Sequence, residues 1–271
     1  MAKSNGAKKN KVAIVTGSAT GLGAACAIDL AGRGWNVAIN YTKSKKEADE
    51  TYAAVKAKGV DAILVQADMG QDADCRKLAA ETLKKWGRVD GLVNNAGTTK
   101  FQSQGDLDGV TPEDFDRIMR VNVTGPYMMS RAVYPTMKKQ WDESQDRGSI
   151  VNISSIAGVM GVGTSIPYAA SKGALNTLTL SLARWFGPAV RVNTVCPGFI
   201  QTRWLLGALG EENYGKLRDA QEQTTPLRQA GTPEQMAEAV MFFLTSASNI
   251  TGEFLIVDAG THLGSLPMKG R

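Results

Sequence analysis

A short apolar run, Val12-Ala13-Ile14-Val15, passes directly into Thr16-Gly17-Ser18-Ala19-Thr20-Gly21-Leu22-Gly23, and a helical stretch follows from Ala24 to Arg33. Strand, glycine-rich turn and helix in that order bring bare backbone N–H groups and a positive helix end against a diphosphate. Gly17 permits the tight turn, Gly21 lets the backbone approach a ligand, and Gly23 lets the helix pack on the strand. Three glycines so spaced also occur in ordinary strand-to-helix turns, so the rest of the chain has to decide.

That rest is built to one rhythm. β-rich runs at Val12 to Val15, Val37 to Asn40, Ala62 to Ala67, Gly91 to Asn94, Ser149 to Ile153, Arg191 to Cys196 and Glu253 to Val257 alternate with longer helical patterns. Seven such strands predict one doubly wound α/β domain, a parallel sheet covered by helices on both faces and wound by right-handed crossovers. Continuous apolar strands such as Ile150-Val151-Asn152-Ile153 suit burial on both sides. No linker, repeat or low-complexity tract divides the chain, and 271 residues with 43% hydrophobic and 21% charged content suit one large core. The reading is a basic disordered arm at 1–10, a domain at 11–264 and a short tail at 265–271.

The formal charge of +5 is mostly an effect of that arm. Lys3, Lys8, Lys9 and Lys11 precede the first acid, Asp29, and without those four the balance falls to +1. A solvated arm is expected, with no nucleic-acid surface. Cys26, Cys75 and Cys196 are scattered and odd in number, and His262 is the single histidine, so neither a disulfide framework nor a metal site is expected. No stretch approaches the roughly 18 to 20 apolar residues of a membrane span, and a soluble cytoplasmic protein is the expectation.

Ligands of open α/β sheets bind beyond the carboxyl ends of the strands. The notable polar residues gather there: Asp68 after the third strand, Asn94-Asn95-Ala96-Gly97 closing the fourth, Ser154-Ser155 the fifth and Pro197-Gly198 the sixth. Tyr168 and Lys172 stand four apart at the head of a helical run and share a face. An ammonium about 4 Å from a phenol contributes on the order of 4 kcal/mol at an effective dielectric of roughly 20. At about 1.36 kcal/mol per unit, that lowers a tyrosine pKa from near ~10 by roughly three units, toward the range of a proton donor and acceptor. A surface tyrosine and lysine at helical spacing is the ordinary alternative. Ser155, thirteen residues before Tyr168, lies within reach across the intervening loop.

With these residues in place the chain resembles the short-chain dehydrogenase/reductase family, from about Lys11 to about Gly264. The likeness rests on Thr16 to Gly23, Asp68, Asn94 to Gly97, Asn122 in Val121-Asn122-Val123-Thr124-Gly125, Ser155, Tyr168, Lys172, Pro197-Gly198, Thr202 and Val257-Asp258-Ala259-Gly260. It implies a Rossmann fold, a nicotinamide cofactor, a small carbonyl substrate and a catalytic tetrad. In that tetrad Tyr168 passes its proton to the carbonyl oxygen and Ser155 hydrogen-bonds the same oxygen. Lys172 lowers the tyrosine pKa and holds the nicotinamide ribose, and Asn122 holds a water that returns protons. Ser154, one residue out of phase in an extended segment, reads as structural. Cys196 reads as a buried filler and His262 as structural.

The resemblance places Gly17, Ser18, Thr20, Gly21, Leu22 and Gly23 along the diphosphate. It puts Asp68 at the adenine amino group, Met69 at the adenine ring through its backbone, and Asn95, Ala96 and Gly97 by the adenosine ribose. Pro197, Gly198, Ile200 and Thr202 fall near the nicotinamide. The second strand ends Asn40-Tyr41-Thr42-Lys43-Ser44 with no acid before Glu47. A carboxylate there accepts the ribose hydroxyls and repels a 2′-phosphate. Its absence, with Ser18, Tyr41, Thr42, Lys43 and Ser44 at hand, favours NADP(H) over NAD(H), although Lys43 reads equally as a solvated loop lysine.

Substrate choice is assigned to a lid from about 199 to 227. Trp204, Leu205, Leu206, Leu209 and Tyr214 make it apolar, and Met160, Val162 and Pro167 are expected to face it. A hydrophobic or aromatic ketone suits that pocket better than a sugar, while Arg203 either selects a carboxylate or points outward. A 3-oxoacyl-(acyl-carrier-protein) reductase is the nearest alternative, kept open by Arg131, Lys138 and Lys139. A non-catalytic redox sensor and a nucleotide-sugar epimerase are the readings from other classes. The resemblance also implies a homotetramer, paired through helices around Met128 to Met137 and Ala169 to Phe186, with a second contact at Glu253 to Gly264. The polar stretch from Trp141 to Arg147 has no role legible in the sequence.

Overall fold

The computed structural model describes residues 10–264, so the expected tail and all of the basic arm but Asn10 lie outside the described residues. Strands β1 (Val12–Val15), β2 (Asn36–Tyr41), β3 (Ala62–Gln66), β4 (Gly91–Asn94), β5 (Gly148–Ile153), β6 (Val190–Pro197) and β7 (Phe254–Val257) form one parallel sheet in the order 3-2-1-4-5-6-7. All seven expected strands are present, with ends that differ by at most a residue; Glu253 precedes β7, its N–H donating to the Asn193 side chain at 3.0 Å.

Strand periodicity sorts the core into two layers. Ala13, Val15, Val93, Val151 and Val195 pack beneath α1 (Gly21–Gly32), α2 (Lys45–Lys56) and α9 (Pro233–Met241). Ile14, Leu92, Ile150 and Val192 pack beneath α3 (Asp72–Trp86), α5 (Gly125–Ser144) and α7 (Ile166–Phe186). Successive residues thus face opposite layers, as the period of two requires, and both faces of the sheet are covered. The remaining helices are α4 (Pro112–Met119), the single turn α6 (Ala157–Met160) and α8 (Arg203–Thr224).

The stretch from Trp141 to Arg147 turns out to be a clasp at the amino-terminal end of the sheet. α5 runs on to Ser144 and closes on Gln145 in a left-handed conformation. Asp146 then pairs with Arg88, and Arg147 lies over the Trp141 ring while donating to the carbonyl oxygens of Pro188 and Ser248.

β1 pairs with β2 on one side and β4 on the other, so the winding direction reverses between β1 and β4, and the crevice for a ligand opens there. Thr16 stitches the two strand ends together. Its N–H and hydroxyl both donate to the Val93 carbonyl, and its hydroxyl oxygen accepts from the N–H groups of Asn95 and Ala96. On the other side, fully buried Asn40 at the end of β2 accepts the Gly17 N–H at 2.9 Å and donates to the Ala67 carbonyl at 3.0 Å. The glycine turn is held by its neighbours on both flanks. Asn40→Ala would leave these buried groups unpaired, each costing about 1–3 kcal/mol. Urea unfolding should show a loss of about 3 kcal/mol, and a loss below about 1 kcal/mol would show that the turn needs no such clamp.

Candidate active site

α1 begins without a side-chain cap. Thr20 occupies the capping position with no side-chain hydrogen bond to the first turn, and Gly17 and Gly21 take φ values of +60° and +57°. An L side chain at either glycine would be strained. A methyl group on Gly23 would lie 2.4 Å from the Gly17 carbonyl oxygen and 2.5 Å from the Asn95 amide nitrogen. The first-turn N–H groups consequently form a bare, positively polarised cradle that suits a diphosphate. Opposite it, the methyl group of Thr202 lies 3.4 Å from the point where a Gly21 side chain would begin. Thr20 and Gly21 are open to solvent on this cleft, whereas Leu22 is buried and offers only its backbone.

Several side chains expected along the nucleotide are already occupied. The Ser18 hydroxyl is fully buried, donating to the Val15 carbonyl at 2.7 Å and accepting the Asn40 N–H at 3.0 Å, so it is not free to meet a phosphate. Tyr41 packs into a small apolar cluster with Ala19 and Ala48. Of the residues expected there, Thr42, Lys43 and Ser44 stay exposed, the Thr42 hydroxyl donating to the Ala67 carbonyl at 3.3 Å; Ser44 precedes α2 without capping it. The Asn95 amide nitrogen is committed to the carbonyls of Thr16 and Gly17, both at 2.9 Å, and its backbone N–H to the Thr16 hydroxyl, which leaves its two carbonyl oxygens. Met69 is buried with its carbonyl oxygen turned toward Gly125, and half-buried Asp68 accepts the Gly70 N–H at 2.8 Å. Ala96 and exposed Gly97 continue the wall from β4.

The second half of the site is assembled from β5, β6 and α7. Ser165 caps α7 by accepting the Tyr168 N–H, and buried Pro167 starts its first turn, which fixes where Tyr168 emerges. Lys172, one turn further on and 4% exposed, donates to the Ile153 carbonyl at 2.8 Å, with its ammonium 5.5 Å from the centre of the Tyr168 ring. Ser155 leaves the end of β5; its hydroxyl donates to the Pro197 carbonyl at 3.4 Å and accepts the Ala157 N–H at 3.1 Å. Ser154 is buried and bonded to the Lys172 carbonyl, facing the other way.

Asn122 sits in a widened helical turn, Arg120–Thr124, between α4 and α5, a local distortion that often marks functional positions. Its side chain grips both backbone groups of Thr98 and donates to the Ser171 hydroxyl, which donates in turn to the Tyr168 carbonyl. Gly97 closes the group: a methyl group there would lie 3.4 Å from the Asn122 side-chain oxygen and 3.7 Å from the Lys172 ammonium. All four residues of the expected tetrad therefore converge at the carboxyl edge of the sheet.

The electrostatics correct one expectation. The lysine does not pull the tyrosine toward neutrality in this structure: loss of solvent pushes the Tyr168 phenol above its ordinary pKa, and the Ser155 hydrogen bond draws it only part of the way back. Lys172 is itself lowered to about 8 by burial, which the neighbouring Cys196 opposes only weakly. Cys196, buried against Asn176, is raised to about 11, so its thiol stays protonated and inert at neutral pH.

Pro197, Gly198 and Ile200 lead from β6 to Thr202, whose side chain caps α8 by accepting the Leu205 N–H. Met160 and Val162 lie exposed at and just after α6, Trp204 and Leu205 sit in the first turn of α8, and Arg203 is exposed. His262 is paired with Asp258 at 2.9 Å. Among the described residues no group of three or more His, Cys, Asp or Glu could hold a metal ion, and no helix is long and apolar enough to cross a membrane. Asn40 and Ser171 build the site through bonds that the sequence motifs do not mark. Asn40 had a signal, a polar residue closing an otherwise apolar strand, whereas Ser171 had none.

Residues 17–262 match the family model described as enoyl-(acyl carrier protein) reductase. A Streptomyces violaceoruber protein assigned as ketoacyl reductase 2 of the granaticin polyketide synthase is 41% identical over 252 residues, covering 93% of this chain and 96% of that one. The 3-oxoacyl-[acyl-carrier-protein] reductase FabG of Staphylococcus epidermidis is 33% identical, covering 94% and 100%. The solved structure of levodione reductase superposes with a TM-score of 0.86 at 27% identity, over 94% of this chain and 98% of that one. The chain therefore belongs to the short-chain dehydrogenase/reductase family of nicotinamide-dependent oxidoreductases.

Proposed function

We propose that this chain is an NADP(H)-dependent carbonyl reductase that converts a hydrophobic, ring-bearing ketone to its secondary alcohol. The convergence of Ser155, Tyr168, Lys172 and Asn122 beside the bare first turn of α1 carries this reading. The relatives' names, ketoacyl and levodione reductases, agree with a carbonyl substrate. A bound nicotinamide supplies the hydride. Tyr168 donates its phenolic proton to the carbonyl oxygen, and Ser155 donates a hydrogen bond to the same atom. The raised phenol pKa suits reduction, because the donor stays protonated at neutral pH. Lys172 steadies the phenolate as the proton leaves and hydrogen-bonds the ribose, and Asn122 holds the turn through which the proton is replaced.

NADP(H) is preferred because Thr42, Lys43 and Ser44 stand exposed where β2 ends, and no carboxylate lies among them. The carrier-protein alternative draws on the FabG relative. Its basic docking residues are nevertheless engaged: Arg131 pairs with Asp72, Lys138 with Asp142 and Lys139 with Glu143, which blunts any attraction for an acidic carrier. A homotetramer fits the exposed Tyr127, Leu180 and Trp185 on the outer faces of α5 and α7. Met128, Met129 and Met137 of α5 are buried in the chain's own core, so an α5 contact would use its outer face.

Spectrophotometric assay of NADPH and NADH against aryl ketones, diketones and acyl thioesters should show turnover with NADPH and a ring-bearing ketone. Tyr168→Phe should lower kcat by about a thousandfold with nucleotide affinity kept; lost affinity with preserved turnover would contradict the assignment. Sedimentation should give a tetramer, and a monomer alone would remove that part of the reading.

Burial of Lys172 also has a pH signature. Between its lowered pKa of about 8 and the ordinary 10.5, the unfolded chain binds a proton that the folded one has released, so stability rises with pH through that window. Relative to Lys172→Met, the protein should gain about 2–3 kcal/mol between pH 7 and pH 10. Equal shifts in both proteins would show that the ammonium is not desolvated.

A further inference from the structure

Two aromatic rings meet over the candidate site from opposite walls. Phe101, on the loop after β4, and Trp204, in the first turn of α8, have ring centres 5.3 Å apart and planes inclined at 57°. Phe101 belongs to the wall that carries Tyr168. Its neighbour Gln102 donates its N–H to the Thr164 carbonyl at 2.9 Å, and the hydroxyls of Thr99 and Thr164 lie 2.6 Å apart. Gly163, beside Thr164, packs against the Tyr168 ring, since a methyl group there would lie 3.5 Å from it. Trp204 belongs to the other wall, two residues beyond the Thr202 that faces Gly21 across the nucleotide cleft. The contact therefore spans from the proton-donor side to the nucleotide side.

The Trp204 side of this bridge is lightly held. No residue of α8 is buried, Trp204 is 49% exposed, and the helix is broken at Gly210, with φ 73° and ψ 162°. The segment 203–209 is thus a short unit hinged at Thr202 and Gly210, with Phe101 as its stop. Rings 5.3 Å apart leave no space for a third between them, because each aromatic contact by itself takes up roughly 4.5–7 Å between ring centres. A substrate has to part the pair, and only one with a flat ring restores aromatic contact on both sides.

We propose that Phe101 and Trp204 form an aromatic gate that makes Phe101 a specificity-determining residue, selecting flat, ring-bearing ketones over aliphatic ones. This inference rests on the reading of the site as a ketone reductase. In Phe101→Ala, the ratio of kcat/KM for a two-ring ketone such as 1-tetralone to that for a small aliphatic ketone should fall about tenfold, in keeping with the loss of one aromatic pair and its buried area. Phe101→Tyr should restore the ratio and Phe101→Leu should not; full rescue by Leu, or parallel changes for both ketones, would overturn the gate. Fluorescence titration of 2-naphthol into the NADP+-loaded protein separates the two proposals. Naphthol binding about tenfold weaker to Phe101→Ala than to the wild type or Phe101→Tyr supports the gate even if no ketone is reduced, in which case the proposed reaction falls alone. Equal naphthol affinities sink the gate whatever the activity.

Discussion

The Gly17 carbonyl oxygen lies 2.4 Å from the place where a side chain on Gly23 would begin, and the site depends on that close approach. Because α1 can settle directly on the turn, its first N–H groups stay uncovered and aim into the crevice between β1 and β4. The same contact draws the Asn95 amide onto the Thr16 and Gly17 carbonyls, fastening the β4 loop to the nucleotide cradle. From that fastening the chain reaches Gly97, and Gly97 is bare where it passes Asn122 and Lys172. One steric constraint at the sheet's switch point thereby sets the distance between the nucleotide half of the site and its proton-transfer half.

Within the proton-transfer half, desolvation outweighs charge. Coulomb's law at a surface-like dielectric predicts that an ammonium one helical turn from a phenol should acidify it. Burial acts on both groups at once, disfavouring the ammonium and the phenolate alike, and the lysine's nearest partner is the Ile153 carbonyl, not the phenol oxygen. The outcome is a neutral phenol beside a weakened cation. That pairing suits a donor whose proton should leave only when a developing alkoxide is present to receive it.

How much of this was readable from the residues depended on where each was held. The seven strands and the glycine turn follow from periodicity and spacing, since local backbone rules and burial on two faces determine them, whereas Tyr168, Lys172 and Ser155 stood out from ordinary surface residues only through the family resemblance. For Ser18, in the glycine turn, and Tyr41, at the end of β2, position in the chain does not say which way a side chain turns. Ser18 is pulled inward by the Val15 carbonyl and Asn40, and Tyr41 by Ala19 and Ala48. Asn122 stood out in the sequence through the family resemblance, and its grip on Thr98 and Ser171 depends on contacts 24 and 49 residues away, which no local pattern encodes.

Scaffold and specificity are separable in this chain. Among the described residues no buried side-chain nitrogen or oxygen lacks a partner, and a chain of Asn94, Asn152, Thr179 and Thr194 links β4, β5, α7 and β6 through the core. Such a satisfied network is costly to disturb, which keeps the carboxyl edge rigid. α8 is the opposite. It buries no residue and is tied to the body by the Thr202 cap, the Phe101–Trp204 and Phe199–Tyr214 ring contacts, and the Thr261 hydroxyl bonded to Gln221. A segment with so few attachments opens at small cost, and under the proposed function replacing its side chains alters what the cleft admits while the hydrogen-bonded frame beneath it stays in place.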